Sequence, residues 1–126
     1  MTHVQVIRDA LLATPAVTSL VTDRIYASVA PQGCARPYVV LTLASAVPAH
    51  THDGLPADLL EQARVQVASY GPEYAAIHAV AEAIDEIVGA LSGPSPAPSA
   101  TRDNMRDMYD DETSLYVVAA DYMVWL

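Results

Sequence analysis

The sequence predicts an α+β fold: a mainly antiparallel sheet built from two hairpins, with a long helix and an N-terminal helix packed on one face. Three observations carry that expectation. Residues 38–47 and 59–70 are strand-like runs joined by a turn-forming segment. Residues 72–91 repeat apolar side chains at helical spacing. Residues 101–125 read as a second hairpin around an acidic turn. The chain has 126 residues, a length that suits one domain, 1–126, with a core of its own.

Each element has a local cause. Thr2 and Gln5 have the spacing of a capping box, and Val4, Ile7, Leu11 and Leu12 follow as an amphipathic stripe. Pro15 ends that helix and opens a shorter one carrying Val17, Leu20 and Val21 inward. Arg24-Ile25-Tyr26-Ala27 reads as a short extended piece. Tyr38–Val47 is β-branched and bounded by Pro37 and Pro48, with Val39, Leu41, Leu43 and Val47 on its more apolar face. Asp53-Gly54 marks a turn. In the next strand Ala63, Val65 and Val67 alternate with Gln62, Arg64 and Gln66, so one sheet face is buried and the other is wet or lies at an interface.

Pro72 suits a first helical position and Glu73 complements the helix dipole. Ile77, Val80, Ile84, Ile87, Val88 and Leu91 then form the strongest periodic signal in the chain. Ala75, Ala76, Ala79, Ala81 and Ala83 are expected to let this helix approach the sheet closely. Gly93 is a candidate cap, and the Pro-rich stretch 93–100 is a connector inside the domain. In the last strand Tyr116, Val118, Ala120, Tyr122 and Val124 share one face, and Leu115, Val117, Ala119, Met123 and Trp125 the other. Both faces are apolar, so this strand is central or one face meets another subunit.

Charge narrows the function classes. The net charge is −9, and all six basic residues are arginine. Non-specific nucleic-acid binding needs clustered cations and is disfavoured. An apolar content of 52% argues against disorder. The first residues lack the basic and apolar regions of a signal peptide, and no run is long enough for a membrane helix, so a soluble protein made in the cytoplasm is expected.

Few residues point to chemistry. Cys34 is the only cysteine; Arg36 lies near it, but no base does, so a structural role is the simpler account. His50-x-His52-Asp53 is the best metal candidate, because residues i and i+2 of an extended segment point the same way. Zinc normally takes three or four protein ligands, which favours a plain polar loop. His78 lies on the flank of the long helix beside Tyr74 and Asp85, as a boundary residue more than a base. Asp110-Asp111-Glu112 lacks the spacing and glycine of a calcium loop and reads as a solvated tip. Arg102, Asp103, Arg106 and Asp107 make either a solvated edge or an interface laced with ion pairs. No GxSxG, GxGxxG, P-loop or HExxH is present, which disfavours an enzyme and implies no catalytic residues and no cofactor. Seven tyrosines and Trp125, without phenylalanine, suit surfaces that are apolar on one side and wet on the other.

Several phrases in order support a resemblance. Ala10-Leu11-Leu12-Ala13-Thr14-Pro15-Ala16-Val17 is followed by Arg24-Ile25-Tyr26, then Ala30-Pro31-Gln32-Gly33 and Arg36-Pro37-Tyr38-Val39-Val40. His52-Asp53-Gly54, Ala63-Arg64-Val65-Gln66-Val67, Thr113-Ser114-Leu115-Tyr116 and Asp121-Tyr122-Met123-Val124-Trp125 complete the series. In these phrases the chain resembles the small tail completion, or tail terminator, proteins of long-tailed bacteriophages and prophages. The resemblance implies a non-enzymatic virion protein of the tail, assembled in the host cytoplasm. It implies a homo-oligomeric ring, commonly of six subunits, at the head-proximal end of the tail tube. Its partners would be further copies of itself, the tail tube protein and the head-tail connector protein. DNA would only pass through the lumen, and no membrane would be involved. Under that reading the expected contacts are the hairpin tips, with His50, His52, Asp53, Gly54 and Leu55 on one and Asp110, Asp111 and Glu112 on the other. Tyr116, Tyr122 and Trp125 of the last strand join them. Two readings from other classes stay open: a small metal-binding protein or enzyme using His50, His52 and Asp53, and an acidic adaptor for a basic partner.

Overall fold

The amphipathic stripe near the N-terminus forms α1 (His3–Leu12), whose Ile7 and Leu11 are fully buried. Thr14 is extended, and Pro15 takes the first position of α2 (Pro15–Val21), where its missing N–H costs nothing. The chain bends by 86° between the two helices, so both can bring apolar residues to one core. The computed structural model of the chain describes residues 3–33, 35–48, 61–90 and 99–125. The expectations placed on Thr2, Cys34, the loop from His50 to Pro56, Leu91 and residues 93–98 lie outside them.

Five strands follow in one sheet: β1 (Ile25–Ala27), β2 (Tyr38–Pro48), β3 (Glu61–Gly71), β4 (Ser99–Asp110) and β5 (Leu115–Trp125). The helix α3 (Tyr74–Gly89) lies between β3 and β4 in sequence. The strand order is β1-β2-β3-β5-β4. β1 runs parallel to β2, and every other neighbour is antiparallel. The fold is therefore α+β, and β5 is an internal strand flanked by β3 and β4, in line with the first of the two readings of its apolar faces. Arg8 on α1 donates from Nε to the carbonyl of Ile25 at 2.9 Å, and Arg24 donates to the carbonyl of Pro37 at 2.8 Å. These bonds tie the short β1 to the helices and to the start of β2.

The core lies between the helices and one sheet face. Val39, Leu41, Val65, Val67, Tyr122 and Val124 meet Ile7, Leu11, Val80, Ile84 and Val88 there. Burial of each large aliphatic side chain contributes about 1.5–3 kcal/mol relative to leaving it in water.

Four local expectations change. Leu43 does not continue the buried face of β2: it keeps the register of Val39 and Leu41, pairing with Val65, but is 47% exposed and lies past Leu41, where β1 ends. Ala75, Ala76 and Ala79 face solvent, and of the expected small residues only Ala81 and Ala83 turn toward the sheet. With Ile77, Val80, Ile84 and Val88 setting the buried arc, the helical period carries the other alanines outward. Pro72 is not the first residue of α3: Glu73 is the extended N-cap, without a side-chain cap bond, and the helix starts at Tyr74. Ser99 and Ala100 belong to β4 and not to the connector.

Candidate assembly surfaces

The helices cover one sheet face, so alternation leaves a second face away from them. Tyr38 on β2 and Tyr70 on β3 are paired in register, and their rings stack at 4.9 Å and 11°. Tyr26 of β1 meets Tyr38 edge-on at 6.4 Å. Beside this tyrosine row, Val40, Ala68, Val117 and Ala119 sit low in the pleat and are buried, while Met108 on β4 is exposed. Leu115 is covered at the end of β5 and lines a shallow recess with Arg36, Tyr38 and Thr113.

The same face carries a charge cluster. Arg64 reaches Asp103 at 2.6 Å and Asp121 at 3.9 Å, and Arg106 reaches Asp121 at 3.1 Å. The hydrogen bond from Arg64 to Asp103, with the charge of that carboxylate, raises the guanidinium pKa above its ordinary value. The mixed-charge strand is thus both an edge and a set of ion pairs, all made within one chain. Asp121 was not singled out from sequence, although an acid inside an otherwise apolar run, Tyr116 to Val124, is the signal that could have found it.

On the helix side, Tyr122 lies in the core at 1% exposure. Its hydroxyl donates to Asp85 on α3 at 3.0 Å, and Arg102 holds the other carboxylate oxygen at 3.3 Å. Tyr122 is therefore corrected as a subunit contact: it offers no surface to a neighbour. The odd–even assignment in β5 is right, but a long helix covers that face at Tyr122. Tyr116 is half-buried nearer the strand's start. Tyr74 and Tyr109, both about half exposed, pack on it at 5.7 Å and 4.8 Å.

At that end Asp107 of β4 accepts from the Tyr74 hydroxyl at 2.7 Å and pairs with His78 Nε2 at 3.0 Å. His78 is thus a clamp between α3 and the edge strand. The hydrogen bond from Tyr74, and then those from and the charge of His78, hold the Asp107 carboxyl below its ordinary value of 3.8. The folded state therefore binds that proton less readily than the unfolded chain. The resulting stability is present above pH 3.8 and is lost as pH falls through the lower folded value. Asp107→Asn should flatten the acid limb of stability against pH below about 4, measured by thermal melts. An unchanged limb would show that this clamp contributes nothing.

The acidic turn lies where expected. The Glu112 N–H donates to Asp110 Oδ1 at 3.0 Å, and Ser114 takes a left-handed φ of 58° to lead into β5. Asp111 and Glu112 are exposed and Asp110 is half-buried. His50, His52, Asp53, Gly54 and Leu55 lie outside the described residues, as does the Trp125 side chain. Among the described residues, no group of three or more His, Cys, Asp or Glu side chains could hold a metal ion. No single described helix is long and apolar enough to cross a membrane.

Comparison with known proteins adds two findings. The family described as Tail completion protein gp17 matches residues 5–126. A chain from the structure titled "Virion of native gene transfer agent (GTA) particle" superposes with a TM-score of 0.76 at 15% identity, over 94% of this chain and 90% of that one. At that identity the likeness is one of fold. No curated protein sequence matches the chain.

Proposed function

This chain belongs to the tail completion protein gp17 family, a structural family of phage tails, and from that premise we propose that it forms a ring closing the head-proximal end of the tail. The match across residues 5–126 carries the reading, because it takes in every described strand and every helix but the first two residues of α1. The ring is hexameric. It stops polymerisation of the tail tube and offers the head connector a docking face. The protein acts by binding and not by catalysis. Unlike surfaces on one subunit that meet under a rotation produce a closed ring in place of a filament.

Contacts to neighbouring subunits, tube or connector are assigned to the hairpin tips. These are the loop holding His50, His52, Asp53, Gly54 and Leu55, and the turn of Asp110, Asp111 and Glu112. Tyr116 and Trp125 supply further contact. The net charge of −9 per chain gains a role here. Repeated around a ring, it repels DNA phosphates and lets the duplex pass without adhering.

Electron microscopy of particles made without this protein tests the proposal. Tails of uncontrolled length, or tails unjoined to heads, are expected. Normal tails attached to heads would overturn it. Glycine replacement of Asp111 and Glu112 in the same background should weaken capping or joining; unchanged particles would remove this tip from the contact set.

A further inference from the structure

The two edges of the sheet are built differently. β1 covers only Val39–Leu41 of β2, and among the described residues no strand lies beside Thr42–Pro48 on that side. The backbone direction there follows from two hydrogen bonds. The Val39 N–H donates to the Arg24 carbonyl at 2.9 Å, and the Leu41 carbonyl accepts from the Ser28 N–H at 2.7 Å. Residues 39 and 41 thus turn their backbone groups toward β1. Alternation turns those of Leu43 the same way, past the end of β1 and into the open.

The side chains leave this edge unguarded. No residue from Tyr38 to Pro48 is charged, and Leu43, Ala44, Ser45 and Ala46 are all exposed. Sheet edges that stay free in solution are normally short or carry charges. β4, at the other edge, is 12 residues long and carries Arg102, Asp103, Arg106, Asp107 and, at its turn end, Asp110. The first four have partners in their own chain, Asp85, Arg64, Asp121 and the Tyr74–His78 pair respectively, and Asp110 accepts from the Glu112 N–H of the turn. The strand can therefore lie against an uncharged neighbour without stranding an unpaired ion.

We propose that the open edge of β2 over Thr42–Pro48 is a strand-pairing surface, and that its occupant is β4 of a second copy of this chain. The inference rests on the ring reading above and gives that ring its joint. The two edges are unlike and lie at opposite sides of one sheet, so each subunit offers one and accepts the other. The contact is heterologous and repeats until it closes. Main-chain hydrogen bonds supply its affinity, as when an added strand extends a sheet.

Leu43→Pro tests the joint. It removes an N–H that faces the open edge and spares the ladder to β3. Leu43→Ala shortens the same side chain and keeps the N–H. In particles lacking the native protein, Leu43→Pro should lower the share of capped tails by about tenfold or more, as expected for losing main-chain pairing. Leu43→Ala should cap as the native chain does. Equal capping by Leu43→Pro would overturn the joint. Amide exchange on the native chain decides the matter without a variant, should the proline chain fail to fold. The Leu43 amide should exchange freely in the free subunit and slowly in the ring. Protection in the free subunit would mean that its own chain covers the edge, and protection given by tube protein without ring formation would name a different occupant; either overturns the joint. A native chain that never caps tails would overturn the ring reading itself, and the joint with it.

Discussion

Tyr122→Ala should lower the unfolding free energy by about 3–5 kcal/mol, the usual cost of deleting a buried aromatic ring. Tyr122 sits among Val65, Ile84, Val88 and Val124 in the core between α3 and the sheet. Nothing on the surface can fill the space, because strands flank β5 on both sides. Tyr122→Phe separates the ring from its hydroxyl. It keeps the packing and loses the bond to Asp85, which retains Arg102 and access to water. Its cost should be about 1 kcal/mol. The two variants also differ from the native chain in alkali. Burial, with the negative charge of Asp85 and the bond to it, raises the Tyr122 phenol above its ordinary value of 10.0. The unfolded chain therefore ionises first as pH rises. The contribution is fully present below pH 10 and is lost above it. Chemical denaturation across pH 8–11 should show a shallower alkaline decline for Tyr122→Phe than for the native chain. A loss below about 1 kcal/mol for Tyr122→Ala would show that the core closes over the gap.

Gly71→Ala should cost about 1–3 kcal/mol through overpacking, read as a lowered denaturation midpoint. The reason is space, not backbone freedom. A Cβ at Gly71 would collide with the Ile77 side chain, lying 2.7 Å from Cγ1 and closer still to Cδ1, and would touch Pro37. Ile77 is fully buried against Ala81 and Val118, so it has little room to turn. This is the point where β3 hands the chain to α3. A shift there moves the start of the helix and with it the Tyr74–Asp107–His78 clamp. Ile77→Val in the Gly71→Ala background removes the Cδ1 methyl and should recover part of the loss. No recovery would place the strain elsewhere.

Much of the fold is legible along the chain because its causes are local. Pro15 sets the break between α1 and α2. The alternation from Ala63 to Val67 marks β3 and its buried face. The spacing of Ile77, Val80, Ile84 and Val88 marks α3, and the acid run at Asp110–Glu112 marks the turn between β4 and β5. The misreadings share a cause as well. Leu43 looks like a core residue by alternation, but it lies past the end of β1, and how far a neighbouring strand reaches is not written in the pattern of β2. Ala75, Ala76 and Ala79 look like packing residues by size, but the larger aliphatics decide which arc of the helix turns inward. Tyr122 looks like an interface aromatic by type, and only the position of α3 buries it.

The assembly surfaces divide the same way. The tyrosine content and the acidity are composition and can be read in any fold. Element type and order follow from periodicity over a few residues, so the sequence alone determined them. The strand order, the pairing of Arg64 and Arg106 with Asp121, the Asp85 partner of Tyr122 and the uncovered length of β2 were decided only by the tertiary structure. The ion pairs of Asp121 join residues 15 and 57 positions apart, and no local pattern specifies which distant partner arrives.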